Sequence, residues 1–210
     1  TAVQKACTDL IGTVGIRAAD CAEVKKALDA VEMNSTFCSP ATTPAVCPAG
    51  QTPTNLFFDD LENITSRNWQ DLVAGSTNHW DGGAGTPDVY FPNFPAPSGT
   101  YQFWGFNFAN IGDSAVAMTT NVALPAGARL QFNHSYNFEQ EATDFYDGGV
   151  VEYSTDGGTT WTDAGALISA GSVYGGIISI DFDNPLAGRS AFVADSLGYA
   201  ASQLNLGSLV

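Results

Sequence analysis

Residues 147–161 read DGGVVEYSTDGGTTW, and this stretch decides the fold class of the chain. Val150 to Ser154 alternates in β-prone residues, and Thr159 to Trp161 begins a return strand. Between them, Asp156-Gly157-Gly158 supplies the positive φ angles that a tight hairpin turn requires. The stretch therefore predicts a β-hairpin in which Asp156 serves the turn and belongs to no metal or catalytic site.

Short β-prone segments recur on both sides of this hairpin, and Gly, Pro, Asn and Asp separate them. Together with the hairpin they predict strands at 55–62, 100–107, 114–121, 129–139, 149–155, 159–163, 177–181 and 191–195. Regularly spaced short strands of this kind indicate a mainly β fold, an antiparallel β-sandwich.

The first 33 residues follow a helical period instead. Apolar residues recur at i, i+3, i+4 and i+7 in two runs, which are Val3, Ala6, Cys7, Leu10 and Val24, Ala27, Leu28, Val31. This spacing predicts two amphipathic helices, the first ended by Gly12 and Gly15 and the second begun by Asp20 with Glu23 in a capping-box-like start. Residues 34–55, with four prolines among Ser, Thr and Ala, are typical of a linker.

Composition and charge limit the partners. The 22 Gly, 10 Pro and 14% charged residues are typical of a loop-rich β protein. The net charge is -15, and from Leu56 onward 17 Asp and Glu stand against three Arg and no Lys. Such acidity excludes nucleic acid and anionic membrane surfaces as partners. No apolar run is long enough for a membrane helix, so no membrane insertion is predicted; a secreted chain would carry its export signal upstream of Thr1.

Several motifs occur in a recognisable order: the hairpin, SAVAM at 114–118, LPAG at 124–127, NPLAGRSAF at 184–192 and Gly198-Tyr199. They resemble the MAM-like jelly-roll accessory domains that follow the catalytic domains of secreted bacterial proteases. AVQKACTDLIG and DCAEVKKALDAVEM, within residues 1–33, resemble the closing helices of a thermolysin-like zinc metallopeptidase. The resemblance implies three parts: catalytic-domain helices at 1–33, a linker at 34–55 and a jelly roll at 56–210.

Four cysteines, Cys7, Cys21, Cys38 and Cys47, lie in the first quarter of the chain. An even count in a chain of secreted appearance predicts two disulfides, for which three pairings are possible. We favour Cys7 with Cys21 and Cys38 with Cys47, because each bond closes a short loop. Zinc is the alternative, but the spacing contains no Cys-x-x-Cys pair and no histidine lies nearby.

The histidines indicate no catalysis in this chain. His134 shares a strand face with Leu130, Phe132, Tyr136 and Phe138, which predicts a buried, hydrogen-bonded structural residue rather than a catalytic base. His79, in a Gly- and Pro-rich loop, is predicted to be a surface residue. The chain lacks the HExxH motif that a thermolysin-like enzyme needs to bind zinc, so the zinc and the catalytic site of a parent enzyme would lie upstream.

Carboxylates are the candidate metal ligands. Asp60 and Glu62 lie in the first predicted strand, and Asp144 and Asp147 lie in the loop before the hairpin. Calcium takes six or more oxygen ligands, which acidic loops at the ends of a jelly roll supply. The resemblance implies a structural calcium near the first strand. The alternative is that these side chains only solubilise the loop ends.

Aromatic residues are the candidate ligand-binding groups. Most of those between Trp69 and Trp104 are expected in the core, but Trp80 and Tyr90 lie in a long loop, 75–98, where an exposed ring could stack on a sugar.

These expectations combine into an extracellular, non-catalytic accessory domain that targets or stabilises a metalloprotease. Its expected partner is a protein substrate, cell-surface polysaccharide or its own catalytic domain. A carbohydrate-binding module and a self-associating, fibre-forming β protein are the alternatives. Domains of this family continue with further strands, so the resemblance implies a truncated C-terminus. It also implies an open sheet edge at Asn55–Glu62 that could recruit a second copy.

Overall fold

The computed structural model describes residues 2–13, 15–30, 43–72, 80, 98–105 and 111–210. The chain divides into two compact units, a helical one, Thr1–Pro40, and a mainly β one, Ala41–Val210. Neither helix in the described residues is long and apolar enough to cross a bilayer.

Both predicted helices are present, as α1 (Ala2–Asp9) and α2 (Ala18–Ala30). The predicted Cys7–Cys21 disulfide joins them, with Cα atoms 5.6 Å apart. The predicted start of α2 is wrong by one turn, because Asp20 lies inside the helix. Its Oδ2 accepts the Arg17 backbone N–H at 2.7 Å, so Asp20 is the residue that bonds back to the first residue of the cap. The prediction had assigned this bond to Glu23. Glu23 instead pairs with Lys26 Nζ at 2.8 Å.

Short antiparallel strands build the β unit. In chain order they are β1 (Trp69–Asp71), β2 (Val116–Met118), β3 (Arg129–His134), β4 (Gln140–Glu141), β5 (Asp144–Phe145), β6 (Glu152–Tyr153), β7 (Thr162–Asp163), β8 (Ile168–Gly171), β9 (Gly176–Ile177), β10 (Ser190–Ala191) and β11 (Ala200–Asn205). They pair as β1–β2, β4–β5, β6–β7 and β9–β10, with one three-stranded sheet in the order β3-β11-β8.

The three-stranded sheet has β11 at its centre. Residues 200–204 are all buried, and their neighbours on one side run in register from Ala200 opposite His134 to Asn205 opposite Arg129. Two buried polar side chains, Ser202 and Gln203, lie in this strand. Gln203 Nε2 donates to Ala45 O at 3.0 Å, so this part of the predicted linker packs on the sheet.

A separate apolar core lies beneath the other hairpins. Ile178, Ala191 and Val193 are its buried members, and Phe145, Val150 and Leu186 pack around them. A parallel bridge between Phe145 and Ile178 connects β5 to the strand pair β9–β10. The core thereby places the β4–β5 hairpin beside the loop that follows β9.

Several predicted strands differ from the structure. The predicted strand 129–139 ends at His134, and only Ile177 of 177–181 and Ala191 of 191–195 belong to the strands β9 and β10. Residues 55–62 form no strand, because Asp59 folds them into a loop: its Oδ1 accepts the Leu61 N–H at 2.8 Å, and Leu61 has φ 66°. The expected sheet edge at Asn55–Glu62 is therefore wrong. Residues 100–105 contain isolated bridge residues in place of the predicted strand. Five strands were not predicted, and these are β1, β4, β5, β8 and β11.

Candidate binding surface

The predicted hairpin forms between β6 and β7, but its return strand begins at Thr162 and not at Thr159. Residues 154–161 connect the two strands and contain the predicted Gly157-Gly158 turn. Gly157 and Gly158 have φ angles of 74° and 87°. Asp156 Oδ1 accepts the N–H groups of Thr159 and Thr160 at 3.1 and 2.9 Å, and Oδ2 accepts the Thr160 hydroxyl at 2.7 Å. Hydrogen bonds from Thr160 and Ser154 lower the pKa of Asp156 to about 2. Asp156 therefore stabilises the turn, as predicted.

Two acidic residues face each other across this hairpin, where Glu152 is the register partner of Asp163. Like charges directly opposite each other destabilise a strand pair. Arg189 offsets the repulsion, because its Nη2 lies 2.8 Å from Glu152 Oε1 and 2.6 Å from Asp163 Oδ2. This guanidinium also attaches the hairpin to β10.

The β4–β5 hairpin contains a second opposed pair, Glu141 and Asp144. Both side chains are exposed, and no salt bridge joins either one to a cation in the described part of the chain. The segment between Arg129 and Arg189 contains no Lys or Arg. The first residue of the connecting turn, Ala142, has φ 53°, a conformation that non-glycine residues rarely adopt.

Tyr146 and Phe182 lie next to this acidic pair. The Tyr146 hydroxyl donates to Glu141 Oε2 at 3.2 Å, and the Phe182 ring packs edge-on against the Tyr146 ring with centroids 4.6 Å apart. Desolvation and the hydrogen bond to Glu141 raise the pKa of Tyr146, and the charges of Glu141, Asp144 and Glu139 raise it further. The ring pair therefore lies within the field of three carboxylates.

The end of β9 and the loop after it expose large apolar side chains. Ile177 is 59% exposed, Ile180 76% and Phe182 51%, while Ile178 between them is fully buried in the core. Asp181 and Asp183 alternate with the exposed residues and are exposed themselves. We call residues 139–146 and 177–183 together the acidic-apolar surface.

The four predicted calcium ligands do not come together as one group. Asp60 Oδ1 accepts the Glu62 N–H at 3.2 Å, and Glu62 Oε1 accepts the N–H groups of Thr100 and Tyr101 at 2.6 and 2.9 Å. Those two hydrogen bonds lower the pKa of Glu62. Asp147 Oδ1 accepts from Asn184 Nδ2 at 3.2 Å. Among the described residues, no three His, Cys, Asp or Glu side chains are placed to hold a metal ion together.

The carboxylate that organises the first acidic segment is Asp59. Its Oδ2 accepts from Asn68 Nδ2 at 2.8 Å and from Trp69 Nε1 at 3.1 Å. Sequence reasoning placed Asp59 in a strand and chose its neighbours as ligands. An Asp side chain often accepts the backbone N–H two residues further on, in an Asx turn. Asp59 followed by Asp60 and Leu61 could therefore have indicated the loop.

Trp80 takes part in packing. Its indole Nε1 donates to Ser114 O at 3.1 Å, its backbone pairs with Gly105, and its ring covers that glycine. The other predicted ligand-binding residue, Tyr90, lies outside the described residues, as do His79 and Cys38. Cys47 is half-buried and forms no disulfide with a described residue.

His134 is hydrogen-bonded and packed against rings, as predicted, but it is not fully buried. It is half-buried among the rings of Phe132, Tyr136 and Phe192, with centroids 4.5 to 5.4 Å away. Its Nε2 lies 2.8 Å from Ser202 Oγ, and that hydroxyl donates to Ser172 O at 2.6 Å. Because the Ser202 proton is already used, His134 Nε2 must be the donor in this pair. The arrangement links β3 to β11 and to Ser172, the residue after β8, and does not activate Ser202 as a nucleophile.

Comparison of the chain with known protein families, with curated proteins and with solved structures finds no match. The functional assignment therefore depends on the surface geometry and on the motifs in the sequence.

Proposed function

We propose that the β unit is a non-catalytic accessory module that binds protein, attached to a secreted zinc metallopeptidase whose last helices form the helical unit. The observation that carries this proposal is the acidic-apolar surface, where Ile180 and Phe182 are more than half exposed beside unneutralised carboxylates. An exposed cluster of large apolar side chains rimmed by polar groups is typical of an interaction site. We assign the β unit to the jelly-roll class and the protein to the extracellular space.

A protein ligand is favoured over a carbohydrate. Trp80, the described member of the predicted sugar-stacking pair, has its indole N–H bonded to Ser114 and its ring against Gly105. A sugar platform needs an open ring face with hydrogen-bonding groups around it. The exposed Phe182 and aliphatic Ile180 suit the mixed side chains of an unfolded or extended polypeptide better.

The test is retention of the 210-residue chain on immobilised denatured proteins, one acidic (casein) and one basic (lysozyme), and on chitin and cellulose. We expect retention on protein and its loss in the double variant Ile180→Ser, Phe182→Ser. The control is Ile111→Ser, Phe58→Ser, which removes an isoleucine 68% exposed and a phenylalanine 70% exposed at other positions.

Retention on polysaccharide alone would reject the proposal, and so would equal losses in the two double variants. A casein-hydrolysis assay with added zinc tests the non-catalytic assignment, for which we expect no turnover. Light scattering after size-exclusion chromatography tests the fibre-forming alternative, for which we expect a monomer.

A further inference from the structure

We propose that the acidic-apolar surface selects a cationic, apolar-rich polypeptide segment, with a lysine or arginine side chain seated over Phe182 and against Glu141 and Asp144. This inference rests on the proposed protein-binding role and adds the chemistry of the partner.

The two hairpins provide an internal comparison. Each has an acidic pair in directly opposed positions, Glu152 with Asp163 and Glu141 with Asp144. In the first pair, Arg189 bridges both carboxylates. The second has no cation from the described residues of its own chain, so a cation on a partner could pair with both exposed carboxylates and offset their repulsion.

Exposed apolar side chains lie beside the Glu141 and Asp144 pair. Phe182 packs on Tyr146, and the Tyr146 hydroxyl is bonded to Glu141, so an exposed ring and a carboxylate are linked through one side chain. A cation over an aromatic face within about 6 Å is attracted by the ring quadrupole, and a neighbouring carboxylate adds a charge-assisted hydrogen bond. Ile180, two residues away and 76% exposed, offers contact to an apolar neighbour of that cation.

The negative charge around this surface determines the sign of the charge that a partner must carry. Residues 130–188 contain nine Asp and Glu and no Lys or Arg. An anionic segment would be repelled by this surface, whereas a basic one would be attracted from a distance. A segment carrying both basic and apolar side chains matches the surface in both respects.

The experiment is an anisotropy titration of the 210-residue chain against three fluorescein-labelled nonapeptides. One alternates lysine with leucine, one alternates glutamate with leucine, and one alternates lysine with serine. We expect the lysine–leucine peptide to bind tightest. Its affinity should fall as NaCl rises from about 0.1 to about 1 M, where the Debye length shortens from about 10 to about 3 Å.

Variants distinguish binding at this site from attraction by the overall negative charge of the chain. Glu141→Gln with Asp144→Asn should weaken lysine–leucine binding about fivefold, as two lost exposed ion pairs would. The control Asp60→Asn with Asp113→Asn removes the same charge at exposed positions elsewhere and should change binding less than twofold. Phe182→Ser should weaken binding about fivefold, with Phe58→Ser as its control.

Folding is checked by thermal melting. Glu141→Gln with Asp144→Asn should melt at or above the temperature of the parent chain, because opposed charges are removed; weaker binding then reflects the site and not instability. Equal binding of the lysine–leucine and glutamate–leucine peptides would overturn the inference. So would equal losses in the two charge variants, or lysine–serine binding as tight as lysine–leucine. A third result would separate the two proposals. If the chain is retained equally on casein and on lysozyme, and Phe182→Ser reduces both, the protein-binding function stands and the selectivity for cationic partners is rejected.

Discussion

Arg189 Nη2 lies 2.6 Å from Asp163 Oδ2, and this contact joins the residue directly before β10 to β7, the return strand of the β6–β7 hairpin. The same nitrogen is 2.8 Å from Glu152 Oε1, so one guanidinium compensates two opposed carboxylates. The three side chains are between 29% and 38% exposed, which makes the network more than a surface ion pair.

Replacing Arg189 by Ala should lower the free energy of unfolding by about 2 kcal/mol, because two charge-assisted hydrogen bonds are lost and Glu152 then faces Asp163 without compensation. Urea unfolding at pH 7 measures the change. Arg189→Lys keeps the charge, and because both contacts use the single atom Nη2, a lysine ammonium can retain part of them, so its loss should be smaller. A double-mutant cycle with Asp163→Asn should show coupling; strictly additive losses would contradict the network.

Two glycines with positive φ should respond differently to substitution by Ala. Gly157 has φ 74° with nothing near the position of a Cβ, so Gly157→Ala should cost only the conformational term of about 1 kcal/mol. Gly171 has φ 81°, and a Cβ there would overlap the carbonyl oxygen of Ala201 in β11. Gly171→Ala should therefore cost at least about 3 kcal/mol, because overpacking adds to strain. Chemical denaturation of both variants tests this difference, and similar losses would contradict it.

The features that the sequence predicted correctly are local ones. The helices follow from apolar spacing, and the Gly157-Gly158 turn follows from the side chain and backbone chemistry of five consecutive residues. The ring series was also predicted: the rings of Phe132 and His134 on β3, and of Tyr136 and Phe138 after its end, follow one another 4.9 to 5.5 Å apart.

The missed features depend on distant partners. The β11 segment reads AASQLN and shows no alternation, because it is a central strand buried at five successive positions. Its polar residues are satisfied by groups far away in sequence, such as Ser172 for Ser202 and Gln131 for Gln203. The acidic-apolar surface was missed for the same reason, since Tyr146 and Phe182 meet only after the core has formed.

Peptide mapping without reduction should find Cys7 linked to Cys21, as in the structure, and Cys38 linked to Cys47, which stays a prediction from spacing. Replacing Cys7 and Cys21 by Ala should cost the helical unit about 3 kcal/mol, the chain-entropy value for a loop of this length. Loss of helical circular dichroism at lower denaturant concentration measures it. Finding a stable thiol at Cys47 would contradict the second bond but not the first.

Calcium binding at the acidic positions stays a prediction from the resemblance, because no three carboxylates come together for a metal ion among the described residues. If Asp60, Glu62, Asp144 or Asp147 binds calcium, millimolar calcium should raise the melting temperature and a chelator should lower it, because a ligand selective for the folded state shifts the unfolding equilibrium. The variants Asp60→Asn and Asp147→Asn, each tested alone, should reduce the shift, and magnesium serves as the control ion. An identical melting curve with and without calcium would remove Asp60, Glu62, Asp144 and Asp147 from consideration as ligands.

His134 should make stability depend on pH between about 6.5 and about 4. Burial among aromatic rings lowers the pKa of His134 from 6.5 to about 4, because the charged form is poorly solvated there. Below about pH 6.5 the unfolded chain takes up a proton that the folded chain does not accept until about pH 4, so the contribution of His134 to stability is lost as pH falls through this window. The loss should be about 2 kcal/mol after allowance for the partial exposure of the ring.

His134→Gln, which can still donate to Ser202, should make the free energy of unfolding less dependent on pH between about 6.5 and about 4. Asp156, with its pKa of about 2, contributes only at lower pH. An unchanged pH slope in His134→Gln would show that other groups cause the dependence.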